Sequence, residues 1–243
     1  MSISDAAAAA SPSEGRSAIP ASGSLGRLVL LRHGETDWSR TGRHTGLTDV
    51  PLTDDGEVAA RRAGTLLSGW TFVRVLVSPL ERARRTAELA GLAGIELDAR
   101  LVEWDYGGYE GLTTPEIRSR LGHDWTVFGD GVVPGTTPGE TLEGVAARAA
   151  AVLADVRADL DRGDVAVVAH AHLLRILTTV FLGADPELAG QLLLDSGSVS
   201  VLDHEHGRPA IRRWNLLPPS GEHVAQAGVP TLSASGSGVA GPR

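Results

Sequence analysis

The sequence predicts an α/β fold, a three-layer α/β/α sandwich around a largely parallel central sheet, and three observations carry that prediction. Short apolar runs recur at RLVLLRH, VRVLVSP and GDVAVVAHAH. Each is nearly continuous rather than alternating, as in a strand buried on both faces. Segments of helical period separate them, the arrangement expected of an α/β layered fold.

The elements follow in order. After the first strand, DDGEVAARRAGTLL places Ala59, Ala63, Leu66 and Leu67 at helical spacing, with Asp54 and Glu57 set like a capping box. VRVLVSP is the second strand, and Pro79 stands where a helix would begin. Thr141 to Leu160 is the longest predicted helix; Leu142, Val145, Ala149, Val152, Val156 and Leu160 form its apolar face. GDVAVVAHAH is the third buried strand, and SVSVLDHE and PAIRRW read as closing strands around a turn at Gly207. Residues 1–24 are rich in Ala, Ser, Pro and Gly and predict a disordered extension, as do residues 220–243. Between them, 25–219 form one continuous domain without a linker or repeat.

Composition narrows the function. The chain has 243 residues, 42% of them hydrophobic but only 4% aromatic, so the core must be built from Val, Leu and Ala. It has no cysteine, which excludes disulfides, thiolate nucleophiles, iron–sulfur ligation and Cys-based zinc sites. A net charge of -8 argues against nucleic acid and anionic membranes as partners. Any phosphate site must then concentrate its own cations. The first residues lack the basic start and apolar centre of a secretory signal, and no run approaches the ~18 apolar residues of a membrane span. A soluble, cytoplasmic protein is the resulting expectation.

In parallel sheets, sites collect at the carboxyl ends of the strands. His33, Ser78 and His170 each follow an apolar strand directly and should emerge on one edge. In LRHGETDW, Arg32 and His33 end a strand and Gly34 permits a tight turn. The pair reads as an imidazole nucleophile beside a phosphate-clamping guanidinium, or as a satisfied histidine at a strand end. In SPLERARRTAELAG, Arg82 lies on the first turn of a helix, where its fork could grip two phosphate oxygens. Alternatively it joins Arg84 and Arg85 on a solvated face. Glu103 precedes a Gly-rich loop whose Trp104, Tyr106 and Tyr109 could keep a carboxyl protonated, as a proton donor requires, or it is an ordinary loop glutamate. His170 could donate hydrogen bonds to a transferring phosphoryl group, cap a helix, or share a metal with His172.

Together, LRHGETDW, GRHTGLTDVPLTDDG, SPLERARRTA and the His170 strand resemble the histidine phosphatase superfamily, the phosphoglycerate mutase-like fold, over about residues 27–215. EWDYGGYEGLT looks most like its acid phosphatase branch, which includes some sugar-bisphosphatases. The resemblance implies that His33 becomes phosphohistidine, that Arg32, Arg82 and His170 complete a phosphate pocket, and that Glu103 is the proton donor. It further implies substrate-binding positions at Thr45, Gly46 and Tyr106, no metal and no cofactor. Ala171 stands where many members have Gly, and Ser39 where many have Asn, so both are candidate pocket contacts that depart from the family pattern.

The expected activity is hydrolysis of small phosphorylated metabolites. A phosphoglycerate mutase-type phosphotransferase is the alternative, but the mutases of this family carry a longer insertion with paired arginines after the proton-donor loop. Here TTPEIRSRLGHDWTVFGDGVVPGTTPGET is shorter, with Arg118 and Arg120 its only arginines. A non-catalytic phosphate-binding protein is the third reading, and the presence of both His33 and Glu103 weighs against it.

Overall fold

The structure, a computed structural model, describes residues 25–218. Both predicted disordered tails, 1–24 and 220–243, lie outside the described residues. A single sheet runs in the order β3-β2-β4-β1-β5-β6. Its strands are β1 (Leu28–Arg32), β2 (Phe72–Val77), β3 (Ile95–Leu97), β4 (Asp164–Ala169), β5 (Val199–Glu205) and β6 (Arg208–Leu216). β1, β2, β3 and β4 pair in parallel, while β5 and β6 close one edge antiparallel. The helices are α1 (Asp37–Arg40), α2 (Asp54–Leu67), α3 (Glu81–Leu89), α4 (Thr114–Leu121), α5 (Val127–Asp130), α6 (Leu142–Leu160) and α7 (Ala171–Leu182).

The continuous apolar runs divide their side chains between two layers because successive residues of a strand point to opposite faces. Leu28, Leu30, Val165, Val167 and Ala169 pack with α6 and α7. Val29, Leu31, Ala166 and Val168 pack on the other face with Ala63 and Leu67 of α2 and Ala83 and Ala87 of α3. The three-layer expectation therefore holds, with β4 and β1 at its centre.

Several local expectations shift. The α2 cap is Thr53, whose hydroxyl accepts from Gly56 N–H at 3.0 Å. Asp54 is already the first helical residue, so no capping box joins it to Glu57, which pairs with Arg61 and Arg85 instead. The buried stripe of α2 is Gly56, Ala60, Ala63 and Leu67; Ala59 and Leu66 are only half-buried. α3 begins two residues beyond Pro79 because Leu80 stays extended as its cap. α6 matches its predicted face except that Leu142 is half-buried. Strand β3 is too short and exposed to carry a sequence pattern. The closing hairpin turns at His206 and Gly207, with φ of 50° and 76°, the left-handed pair that a tight two-residue hairpin needs. Among the described residues, no helix is long and apolar enough to cross a membrane.

Candidate active site

The parallel ladder continues past the strand ends. His33 N–H donates to Ala169 O at 3.0 Å, and Ser78 N–H donates to Val168 O at 2.9 Å. His33, Ser78 and His170 are thereby brought to one edge, as the sequence predicted. Gly34 is required next to them: a β-carbon there would lie 2.4 Å from Gly56 O, at the start of α2. Thr86 of α3 fastens the same turn, accepting from Gly34 N–H at 2.9 Å while donating to Arg82 O at 2.7 Å.

His33 is 5% exposed and its Nδ1 lies 2.7 Å from Gly34 O. A carbonyl can only accept, so Nδ1 carries the proton and Nε2 keeps its lone pair. Burial, with Arg82 and Arg32 nearby, holds the imidazole well below its usual pKa. The ring is neutral, as a nucleophile must be.

The sequence suggested a phosphate clamp at both arginines, and the structure engages the two differently. Arg82 is wholly buried and donates Nε–H to His170 Nδ1, Nη1–H to Thr48 O, and Nη2–H to Thr45 O and Gly46 O. Four of the five guanidinium N–H groups are committed inside the protein, leaving one on Nη1. The expected two-point grip by Arg82 is not available in this arrangement. Arg32 is less committed. One Nη1–H of Arg32 donates to Leu194 O, whereas the buried Nε has no partner among the described residues. Nε and Nη2 form one edge of the fork, and Arg32 lines the pocket. A buried orphan donor is costly unless an anion satisfies it.

His170 is fully buried and its ring lies 5.1 Å from that of His33. Its Nδ1 accepts from Arg82, so Nε2 carries the proton, which it donates to Ser78 Oγ at 2.7 Å. The expected free donor toward phosphate is thus engaged by Ser78. His170 and His172 do not form a metal pair either: His172 Nδ1 lies 2.6 Å from Tyr106 OH. Among the described residues, no group of three or more His, Cys, Asp or Glu side chains converges as a metal site.

Glu103 departs furthest from expectation. Trp104 and Tyr106 are buried beside it, whereas Tyr109 packs on Trp125 with ring centres 5.2 Å apart. Burial alone would raise the carboxyl pKa. The His172 ring, His170 and the backbone N–H of His172 outweigh it and hold Glu103 well below the usual carboxylate range. Oε1 accepts from Trp104 N–H at 3.0 Å and Leu173 N–H at 2.9 Å; Oε2 accepts from His172 N–H at 3.0 Å. His172 and Leu173 lie in the first turn of α7, whose own cap residue, His170, makes no side-chain capping bond. Glu103 caps that helix, a position that favours negative charge. It rests as a carboxylate, not as the protonated acid that aromatic burial suggested.

The cavity between these groups has a volume of about 170 Å³. Ser39, Thr45, Tyr106 and Ala171 line it, as do Arg32, His33 and Glu103. The Ser39 hydroxyl donates to Thr36 O and accepts from Thr36 N–H, closing a capping box on α1. Thr45 Oγ1 donates to Arg43 O. Gly46 does not line the cavity; its N–H donates to the Glu110 carboxylate, and a β-carbon there would lie 2.5 Å from Trp104 O. Gly46 is therefore a packing position. Ala171 opens α7, where an amide N–H has no intrahelical partner, so its backbone can face an anion despite the added methyl. Sequence reasoning missed Arg43, His44 and His172 as pocket walls. The sequence did carry both histidines in the quoted motifs, His44 in GRHTGLTDVPLTDDG and His172 two residues after His170. Their convergence across distant segments was not visible.

Comparison with known proteins finds relatives over most of the described region. The family model for the histidine phosphatase superfamily (branch 1) matches residues 28–217. An acid phosphatase of Mycobacterium tuberculosis is 40% identical over 183 residues, covering 74% of this chain and 88% of the relative. A 2,3-bisphosphoglycerate-dependent phosphoglycerate mutase of Azorhizobium caulinodans is 37% identical over 174 residues, covering 66% of this chain and 83% of the relative. A solved structure of a Mycobacterium tuberculosis open reading frame superposes with a TM-score of 0.75 at 38% identity, covering 80% of this chain and 99% of the other. With the family model spanning nearly all of the described region and the strand-end histidines in place, the chain belongs to the histidine phosphatase superfamily, branch 1.

Proposed function

We propose that this enzyme hydrolyses small phosphomonoesters through a phosphohistidine on His33. The observation that carries the reading is the pairing of a neutral His33, its Nε2 lone pair free, with the unpartnered Nε edge of Arg32. Phosphoryl transfer spreads charge over the equatorial oxygens, so positioning and charge stabilisation do most of the work. Arg32 grips two oxygens. His170 Nε2–H exchanges Ser78 for a third, and the remaining Arg82 N–H adds charge from below. Attack by His33 Nε2 on phosphorus breaks the bond to the leaving oxygen, which takes a proton. Water then attacks the phosphohistidine, and Glu103 accepts the proton released.

Hydrolysis is favoured over mutase-type transfer because the far side of the cavity is weakly basic. The lining cation on that side is Arg43, which donates to Gly111 O and lies 3.7 Å from Glu116. Arg118 is engaged with Trp125 O. A second anionic group on the product would find little to hold it. Rapid denaturation without acid during turnover of a labelled aryl phosphate should trap an alkali-stable, acid-labile adduct in wild type and none in His33→Ala. Release of inorganic phosphate should equal release of the alcohol. Persistent labelling of His33→Ala would refute the nucleophile assignment, and transfer to added phosphoglycerate without phosphate release would establish the mutase.

A further inference from the structure

Glu103 rests as a carboxylate, yet the reaction needs a proton at the leaving oxygen. The geometry around Glu103 leaves few routes for that proton. Three backbone N–H groups occupy its oxygens, from Trp104, His172 and Leu173. Those donors cannot release protons. The remaining polar neighbour is the His172 ring, with Nδ1 3.8 Å from Oε2. The same Nδ1 shares a hydrogen with Tyr106 OH at 2.6 Å. Nε2 of His172 has no hydrogen-bond partner among the described residues, and both His172 and Tyr106 line the cavity beside Glu103.

We propose that the proton for the leaving group is held jointly by Glu103 and His172, with Tyr106 fixing the imidazole between the carboxylate and the cavity. The proposal rests on the phosphatase reading and adds a residue to it. Binding of a phosphate dianion draws one proton from solvent onto His172. As the phosphorus–oxygen bond breaks, Nε2–H of His172 gives its proton to the leaving alkoxide, which departs as the alcohol, while Nδ1 stays bonded to Tyr106 and the Glu103 carboxylate, 3.8 Å away, stabilises the charged ring. When water attacks the phosphohistidine, its proton passes to Glu103 and from there to solvent, and its hydroxyl completes inorganic phosphate. Protons and charge balance over the cycle.

The surroundings suit a ring that is neutral at rest and charged only with an anion present. Burial lowers the His172 pKa, Glu103 raises it, and Arg175 on α7 and Arg32 on β1 lower it further. His44 faces it from the loop after α1, with ring centres 6.1 Å apart, and Tyr106 faces it from the Gly-rich loop. Phe128 and Trp104 pack against other sides of the ring, with ring centres 5.2 Å and 6.3 Å away. A bound phosphate dianion adds the negative charge that tips the balance.

The test compares His172→Asn, His172→Gln and Glu103→Gln on two esters, one with an alkyl alcohol and one with an acidic phenol as leaving group. Asparagine keeps a polar atom near Tyr106 but carries no proton. Losing a general acid typically costs about 10²–10⁴ in rate. His172→Asn should therefore lose on the order of 10²-fold with the alkyl ester and less than about tenfold with the aryl ester. The Glu103→Gln/His172→Asn double variant should be no slower on the alkyl ester than Glu103→Gln alone, because the two act as one device. The alkaline limb of the alkyl-ester pH profile, where the acid loses its proton, should also move in His172→Asn relative to wild type. Equal losses on both esters in both His172 variants, or an undiminished alkyl rate, would overturn the proposal. Labelling of His33 separates the two levels: a normal phosphohistidine in His172→Asn with an undiminished alkyl rate defeats only this inference, whereas no label in wild type defeats the phosphatase reading beneath it.

Discussion

Arg32, His33 and His170 hang from the ends of β1 and β4, where the sheet holds the backbone, and Arg82 from the start of α3. Arg43, His44 and Tyr106 face them from loops, and His172 from the first turn of α7. The first wall carries Arg32 and Arg82; the second carries rings and a hydroxyl, with its one arginine, Arg43, bonded to Gly111 O and drawn toward Glu116. The difference shows how one fold can keep its phosphoryl chemistry while changing its leaving group. The chemistry rests on the rigid scaffold and the selectivity on the loops it carries.

The largest effect should come from the nucleophile. His33→Ala should lower turnover of an aryl phosphate by on the order of 10⁴–10⁶-fold, as removal of other enzyme nucleophiles does. Steady-state rates decide it, and a loss under tenfold would place the chemistry on the other wall. Next come the arginines, which separate gripping from bracing. Arg32→Lys and Arg82→Lys should each cost about 10²–10³ in kcat/KM, because an ammonium cannot replace a planar fork. Only Arg82→Lys should also destabilise the fold, by about 2–4 kcal/mol, since Arg82 ties the 45–48 loop to His170. If thermal unfolding shows equal destabilisation for both, the division of roles fails.

The catalytic edge was legible because its logic is local: a buried strand, then a polar residue that must emerge where the strand ends. His33, Ser78 and His170 followed from that rule alone. The roles of Arg82 and Glu103 were not legible, because they depend on partners 34 to 88 residues away and on the three backbone amides that meet the carboxylate. Composition cannot reveal that Glu103 caps a helix begun by His170. The α2 cap was misplaced by one residue for a simpler reason: Thr53, Asp54 and Asp55 are all good capping types in a row.

Two smaller effects sharpen the contrast further. On the loop wall, burial and the neighbouring His172 hold the His44 pKa at about 4. Its folded-state value lies below the ordinary 6.5, so the unfolded chain binds a proton first as the pH falls. The stability that a neutral His44 contributes is whole above pH 6.5 and drains away down to about pH 4. His44→Phe should therefore flatten the decline of Tm between those values relative to wild type, and an unchanged slope would show that His44 is not neutral in the fold. Far from either wall, Thr53→Ala should lower stability by about 1 kcal/mol while Asp54→Ala changes it by less than about 0.5 kcal/mol, with kcat unaffected in both. Unfolding in urea distinguishes them, and the reverse order would restore the cap to Asp54.

The bond from Arg32 Nη1 to Leu194 O spans 162 residues. The chain around Leu194 is pinned in turn by the closing strand: Asn215, at a φ of 55°, donates to Asp195 Oδ2 and accepts from Asp195 N–H, and Trp214 Nε1–H donates to Leu193 O. The Arg32 guanidinium is thus aimed by the last strand of the described residues. During synthesis, a growing polypeptide that has made β1, β2 and β4 already carries its nucleophile but has not yet oriented Arg32. Long-range closures of this kind also slow folding, because the loop entropy is lost before the contact is gained. Activity should consequently appear late in refolding, together with docking of the β5–β6 hairpin and after the helical signal has returned.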